Sequence, residues 1–532
     1  MKLNYFFILV CLIGTMFLSS CGDDDAEDPT PPSSGDPKDD DPDTDPETSV
    51  TLTAEDFAVT IDENPAEGAV LGTIKAEVTE GIISYAITSQ EKEGALSLDA
   101  ETGEVSVLNP DRFDYDAYES LSAVVLVSAE GAEDVEIDIA VTLQDLDDQV
   151  GFITTWKISE EDKTVLIPIN TSYDYDYTVN WGDGTTSRNH EGDAEHTYNE
   201  AGEYLIEVTG IFPAMNMERV EDKDSKLRLI LLNQWGDIEW ESFASMFFMC
   251  QSIEDASEDI PNMTKVTSMQ KMFAYASRYN GDLSAWDVSN ITNMNAVFVV
   301  AKMFNSDISK WKVGNVVNMS SMFAYASSFN QDLSSWDISS VTNLSEMFYQ
   351  AEKFNSEINN WDVSNVVNMS AMFVGSSFNQ DISAWDVSSV TDMALMFTSS
   401  SFNGDISKWD VSKVRDFRWM FLKSHAFNQD ISGWNVSRGE NFEVMFNNAH
   451  QFNQNLGSWN IQTTKLRGMF DQAGLSVENY DATLKGWSEN TNLARNANFT
   501  AFGLQYCNEA ARNVLLGKGW AINGDSKSAN CD

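Results

Sequence analysis

"FNQDLSSWDISSVTNLSEMF", residues 329–348, decides how this chain folds, because near-copies of it recur between about residues 238 and 474. "FNQDISAWDVSSVTDMALMF" fills 378–397 and "FNGDISKWDVSKVRDFRWMF" fills 402–421. Trp286, Trp311, Trp336, Trp361, Trp385, Trp409, Trp434 and Trp459 return at steps of 25, 25, 25, 24, 24, 25 and 25 residues. Units that cannot bury their apolar faces alone produce such a period by stacking on one another. A catalytic constellation needs one copy, so the repeated sentence describes a scaffold.

Within the unit, Leu333, Trp336 and Ile338 read as a short strand and its approach. Val341, Leu344, Met347 and Phe348 follow the three-and-four spacing of one helix face, with Ser339 and Ser340 where an N-cap belongs. Strand plus short helix every 25 residues predicts a leucine-rich-repeat-like α/β solenoid over 214–474, with Trp, Met and Phe packed between units. Burying each aromatic contributes roughly 2–3 kcal/mol. Asn305, Asn330, Asn355, Asn379, Asn403, Asn428 and Asn453 form a column able to bond the backbone of neighbouring units. Asp282, Asp307, Asp332, Glu357, Asp381, Asp405 and Asp430 form an acidic column, and Asp287, Asp337, Asp362, Asp386 and Asp410 a second. Carboxylates about 4.8 Å apart repel by roughly 1 kcal/mol even in water. Hydrogen-bonded, solvated Asp offsets this most simply, and cation binding is the alternative.

This sentence, with its "WDVSSVTNM…MF" core, resembles the BspA-like repeat of bacterial surface proteins, relatives of leucine-rich repeats. The resemblance implies a surface protein that adheres to host or matrix proteins or to other cells. It names no ligand.

The flanks agree with an exported protein. Residues 1–20 carry one Lys, an apolar run shorter than a membrane span and then small residues, the pattern of a secretory signal. The junction Leu18-Ser19-Ser20-Cys21 resembles the lipobox of bacterial lipoproteins, which implies acylation of Cys21 and loss of Cys11 with the signal. Residues 21–49 form a tether, of which "GDDDAEDPTPPSSGDPKDDDPDTDPET" (22–48) holds twelve acidic residues, six prolines and one Lys. Such a run self-repels and cannot collapse. Acid directly after the lipid cysteine resembles the surface-export signal of Bacteroidota lipoproteins, implying outer-membrane anchoring with exposure on the cell surface. A periplasmic spacer is the alternative.

Residues 50–149 alternate as strands, in "AVVLVSAE" and "VEIDIAVTLQD", and predict an all-β sandwich. "IDENP", "LSLDAETGEV", "FDYDAY" and "LQDLDD" in this order resemble a cadherin repeat. That resemblance implies calcium on Glu63, Asp114, Asp116, Asp145, Asp147 and Asp148. Residues 150–213, with "YTVNWGDGTTSRNHEGDAEHTYNEAGEYLIEV" at 177–208, resemble a polycystic-kidney-disease module, a second β-sandwich. Trp181, Tyr198 and His196 are its framework, and Asp183-Gly184 its hairpin turn.

Residues 475–532 are expected to cap the last unit. In an exported protein Cys507 and Cys531 are expected to pair, and Cys250 is a buried thiol. A net charge of -52 excludes nucleic acid and anionic membrane surfaces as partners, so membrane contact is left to the lipid anchor. No nucleophile elbow, phosphate loop, dinucleotide fingerprint or zinc motif occurs, and His190, His196, His425 and His450 lack metal-ligand spacing. The chain therefore reads as a non-enzyme that binds an extracellular protein or cell-surface ligand. The alternative is a glycan-binding component of a polysaccharide-capture system, which would need tryptophans facing solvent. The least regular unit, "VRDFRWMFLKSHAFNQ" (414–429), offers Arg415, Arg418, Trp419 and Lys423 as an interaction site.

Overall fold

The computed structural model describes residues 49–115, 117–144 and 150–531. Cys21, the tether through Glu47 and Thr48, and Asp116, Asp145, Asp147 and Asp148 lie outside the described residues. The chain divides into two compact units, Met1–Asp147 and Asp148–Asp532. Secondary structure in the described residues is mostly β, with few helices.

The first unit is a β-sandwich. One sheet runs Phe57–Asp62, Val135–Gln144, Ser120–Ala129, Ile83–Gln90, and a second runs Val70–Thr73, Glu104–Val107, Leu96–Leu98. Phe57–Asp62 pairs in parallel with Val135–Gln144, and the other pairs are antiparallel. In Val135–Gln144 every second residue is buried, placing Ile137, Ile139, Val141 and Leu143 in a core with Val105, Phe113 and Val125.

In the second unit, the boundary expected at residue 213 is not a boundary of the core. A six-stranded sheet runs Thr186–His190, Asp176–Asn180, Gly202–Ile211, Phe152–Ile158, Leu229–Gln234, Glu254–Asp255. Its last two strands belong to the start of the repeats, and one apolar core continues from Phe152 to Ile522. The β module is thus the N-terminal cap that a stack of open units requires. Inside it, His196 stacks on Trp181 at 4.9 Å and its Nε2 lies 2.8 Å from Asp183 Oδ2, while the Tyr198 hydroxyl donates to Trp181 O. Gly182, at φ +76°, lies so close to Leu205 O that a Cβ would clash with it.

The repeats contain neither the expected strand nor the expected helix. Trp336 N closes a turn onto Leu333 O and Val341 N another onto Ile338 O. Ser339 caps no helix, because its N–H and hydroxyl both donate to Asp337 Oδ1. Over 343–351 linked turns replace the helix: Met347, Tyr349 and Ala351 donate to the carbonyls three residues back. The alternate amides of Leu344, Glu346, Phe348 and Gln350 donate instead to Asn368, Ser370, Met372 and Val374 of the next unit, at 2.7–3.0 Å. A helix would use those amides internally. Linked turns produce the same three-and-four burial because Glu346 and Gln350 take φ of +57° and +55° and swing the chain back. Between units, isolated parallel bridges step from Ser268 through Asn293, Asn318, Asn343, Asn368, Asp392 and Asp416 to Asn441.

The columns expected from the period are present. Each Asn Oδ1 accepts the backbone N–H of the next column member, as in Asn330 to Asn305 and Asn355 to Asn330. From Trp311 to Trp459 each repeat tryptophan Nε1 donates to a carbonyl of the preceding unit, as Trp336 does to Ile308 O and Trp361 to Leu333 O. Successive units are 5.7–5.8 Å apart at the Phe298–Phe323–Phe348 column but 6.3–6.4 Å apart at the tryptophans. Hydrogen-bonded backbones lie nearer still, at about 4.8 Å. The ladder side is therefore the inner side of a gentle curve.

Non-glycine residues at positive φ recur at two positions per unit, and each is strained by about 1–2 kcal/mol. Ala371 has φ +56°, so Ala371→Gly is expected to leave the urea midpoint unchanged or raise it. Ala394→Gly, buried but without positive φ, should lower stability by roughly 0.5–1 kcal/mol. Equal losses at both sites would contradict the ladder geometry.

After Gly474 the period does not stop but lengthens. Trp487 Nε1 and Trp520 Nε1 continue the tryptophan bonds to Leu456 O and Ala494 O, with helices Val477–Glu489 and Glu509–Gly517 inserted. Lys465–Leu466, Asn498–Thr500 and Ala521–Asn523 carry the bridge line on as a parallel sheet. Cys507 and Cys531 form a disulfide. Cys250 is a free, buried thiol whose pKa is raised by burial.

Candidate binding face

Each unit turns Leu344, Met347, Phe348 and Ala351 inward, so the residues between them must form the outer surface of the ladder. Positions equivalent to Glu346 and Gln350 project there from the left-handed residues. They are where the repeats differ most. The first column reads Ser245, Lys271, Ala296, Ser321, Glu346, Ala371, Leu395, Trp419, Val444. The second reads Met249, Tyr275, Val300, Tyr325, Gln350, Gly375, Ser399, Lys423, Asn448.

Arg415, Arg418, Trp419 and Lys423 all fall on this face. Trp419 is 43% exposed at φ +59°, and its neighbours in the column are Leu395 and Val444. Arg418 pairs with Asp416 at 3.2 Å and Arg415 with Glu440 at 3.0 Å, exposed pairs that stabilise little. Burial raises the Asp416 carboxyl, against the Arg418 amide and charge that lower it. Lys423 carries no ion pair among the described residues.

Sequence reasoning missed the other end of the face. Tyr275 and Tyr325, 40% and 46% exposed, flank a groove of about 580 Å³ lined also by Val300, Lys302, Ser327, Gln350 and Glu352. The available signal was aromatic residues recurring two units apart at one left-handed position. The repeat tryptophans, in contrast, are 0–6% exposed and face inward.

The acidic columns lie on other sides. The backbone N–H of the serine two residues on, and then its hydroxyl, hold Asp282, Asp307, Asp332, Asp381 and Asp405 below the ordinary carboxyl value. Of the cadherin-type carboxylates, Glu63 is buried and accepts the Tyr115 N–H at 2.6 Å, and Asp114 accepts the Ala117 N–H at 3.2 Å. Asp116, Asp145, Asp147 and Asp148 lie outside the described residues. Among the described residues no group of three or more His, Cys, Asp or Glu is placed to hold a metal ion, and no helix is long and apolar enough to cross a membrane.

The repeats match a known family model. Its description is "Mycoplasma protein of unknown function, DUF285", and the matches cover residues 241–351, 331–401 and 376–487. They run from the first stacked unit into helix Val477–Glu489. No curated protein matches the chain. Among solved structures, human protocadherin-24 EC1-2 is similar at 18% identity over 20% of this chain and 50% of that one, with a TM-score of 0.18. The third cadherin domain of human protocadherin 7 is similar at 19% identity over 21% of this chain and 98% of that one, with a TM-score of 0.17. Mouse protocadherin-24 EC1-3 is similar at 15% identity over 19% of this chain and 35% of that one, with a TM-score of 0.17. The chain spans half the length of the first of these structures and about a third of the last.

Proposed function

We propose that this protein is a non-catalytic surface lipoprotein, held on the outer membrane through acylated Cys21, that binds an extracellular protein or cell-surface ligand. The binding element is the ladder face of its BspA-like, leucine-rich-repeat-related stack, and calcium belongs to the cadherin-like module. One observation carries the reading. Where the repeats depart from themselves, they carry an exposed tryptophan, preceded in sequence by Arg415 and Arg418, on the inner side of a curved stack. Trp and Arg dominate binding hot spots, and stacked repeats use their concave side for ligands. The inward-facing repeat tryptophans remove the argument that those residues stack on sugars.

The test is an array of purified matrix proteins and intact cells probed with the full chain. Binding to at least one is expected, and Trp419→Ala should weaken it by tenfold or more, as for an interface anchor worth about 2 kcal/mol. Binding to nothing, or binding indifferent to Trp419, would sink the reading.

A further inference from the structure

We infer that the Tyr275–Tyr325 groove is a separate site on the ladder face, and that its ligand is a neutral oligosaccharide. The inference rests on reading the ladder face as the binding face, but not on Trp419.

Many polar groups along the stack are committed to hydrogen bonds within a turn or between units. Asn side chains accept the next backbone N–H, Asp side chains accept the serine N–H, and the tryptophan rings donate to carbonyls. The polar side chains of the groove are not so committed. Lys302, Ser327, Gln350 and Glu352 line it, and none makes a side-chain hydrogen bond or ion pair among the described residues. Lys302 and Glu352 come from units two steps apart and remain unpaired. Donors and acceptors of both kinds therefore converge on one open space, with Val300 between the two tyrosines. Rigid aromatic surface joined to a few convergent polar groups is how proteins hold small polar ligands.

The same geometry separates sugar from peptide. An extended peptide docking as an added strand needs free main-chain donors. Here Tyr275, Val300, Tyr325 and Gln350 already donate their N–H groups to Val299, Ala324, Tyr349 and Val374 at 2.7–2.8 Å. A polyhydroxyl ligand needs side-chain donors and acceptors and flat apolar rings, and these are what the groove offers. Charge selects further. One cation and one carboxylate give the groove no net sign, and the protein's charge of -52 repels polyanionic glycans.

Affinity electrophoresis of the full chain through gels containing a β-glucan, a mannan, a xylan, a starch or the acidic polymer alginate tests this directly. Calorimetry follows with hexasaccharides of whichever polymer retards the protein. At least one neutral polymer should retard it and alginate should not. Tyr275→Ala and Tyr325→Ala should each weaken sugar binding at least tenfold with the thermal midpoint unchanged, as expected for half-exposed rings. Trp419→Ala should leave sugar binding intact. Retardation by no neutral polymer, by alginate alone, or without dependence on either tyrosine would overturn the inference. So would loss of protein binding, in place of sugar binding, in the tyrosine variants. Because the protein site is read through Trp419 and the sugar site through the tyrosines, either can fail while the other stands.

Discussion

Trp361→Ala lowers the stability of the stack by about 3–5 kcal/mol, the cost of a large buried aromatic together with the cavity it leaves. The ring is 3% exposed, stacks on Trp385 at 6.4 Å and meets Phe348 at 6.3 Å. Its Nε1 donates to Leu333 O at 3.0 Å, so truncation also strips a buried carbonyl of its partner. Trp361→Phe separates the two effects: most of the ring is kept and the bond is lost, for about 1–3 kcal/mol. Because each unit touches only its neighbours, the damage lies at one interface, and the halves on either side should begin to unfold independently. Urea denaturation would show a lower midpoint and a shallower slope. A loss below about 0.5 kcal/mol, the range of ordinary surface substitutions, would contradict the packing described.

The burial pattern of the unit was legible in its letters, and the backbone that achieves it was not. Leu344, Met347 and Phe348 face inward as their spacing requires, but helix and linked turns share that spacing. What distinguishes them is left-handed conformation at Glu346 and Gln350, residues with no preference for it. Glycine marks the position only at Gly375 and Gly468. The conformation is imposed by the ladder, whose partners lie 24 or 25 residues away and leave no local signature. The missing boundary at residue 213 has a similar cause. Leu229–Gln234 is a short apolar strand that any sheet could accept, and only the register with Thr154 and Thr155 shows which one does. On the ladder face, Trp419 could be found because Arg and Lys crowd around it in the sequence. Tyr275 and Tyr325 could not, because nothing in a single unit says that their position points outward.

That local weakness makes the ends of the stack depend on other devices, and the C-terminal end depends on its disulfide. Cys531→Ser is expected to cost about 3 kcal/mol by the loop-closure argument, for a cross-link spanning 24 residues with Cα atoms 5.3 Å apart. The bond secures a segment that is otherwise attached by short strand pairings and an ion pair. Ser526–Lys527 pairs with Gln505–Tyr506 through two residues each, and Arg512 and the Tyr480 hydroxyl reach Asp525 at 2.9 and 3.1 Å. Cys507 is itself anchored, since its N–H and that of Asn508 donate to Asp481 on helix Val477–Glu489. Losing the cross-link therefore frees the last strands first, while the helix stays docked through Trp487. Hydrogen exchange should rise in residues 521–531 and then in Asn498–Thr500, the strand that Ala521–Asn523 covers. The repeats before Trp459 should keep their protection. Exchange that rises uniformly along the stack would mean that the disulfide acts on the whole molecule, and exchange that does not rise at all would mean that the terminal sheet closes the stack without it.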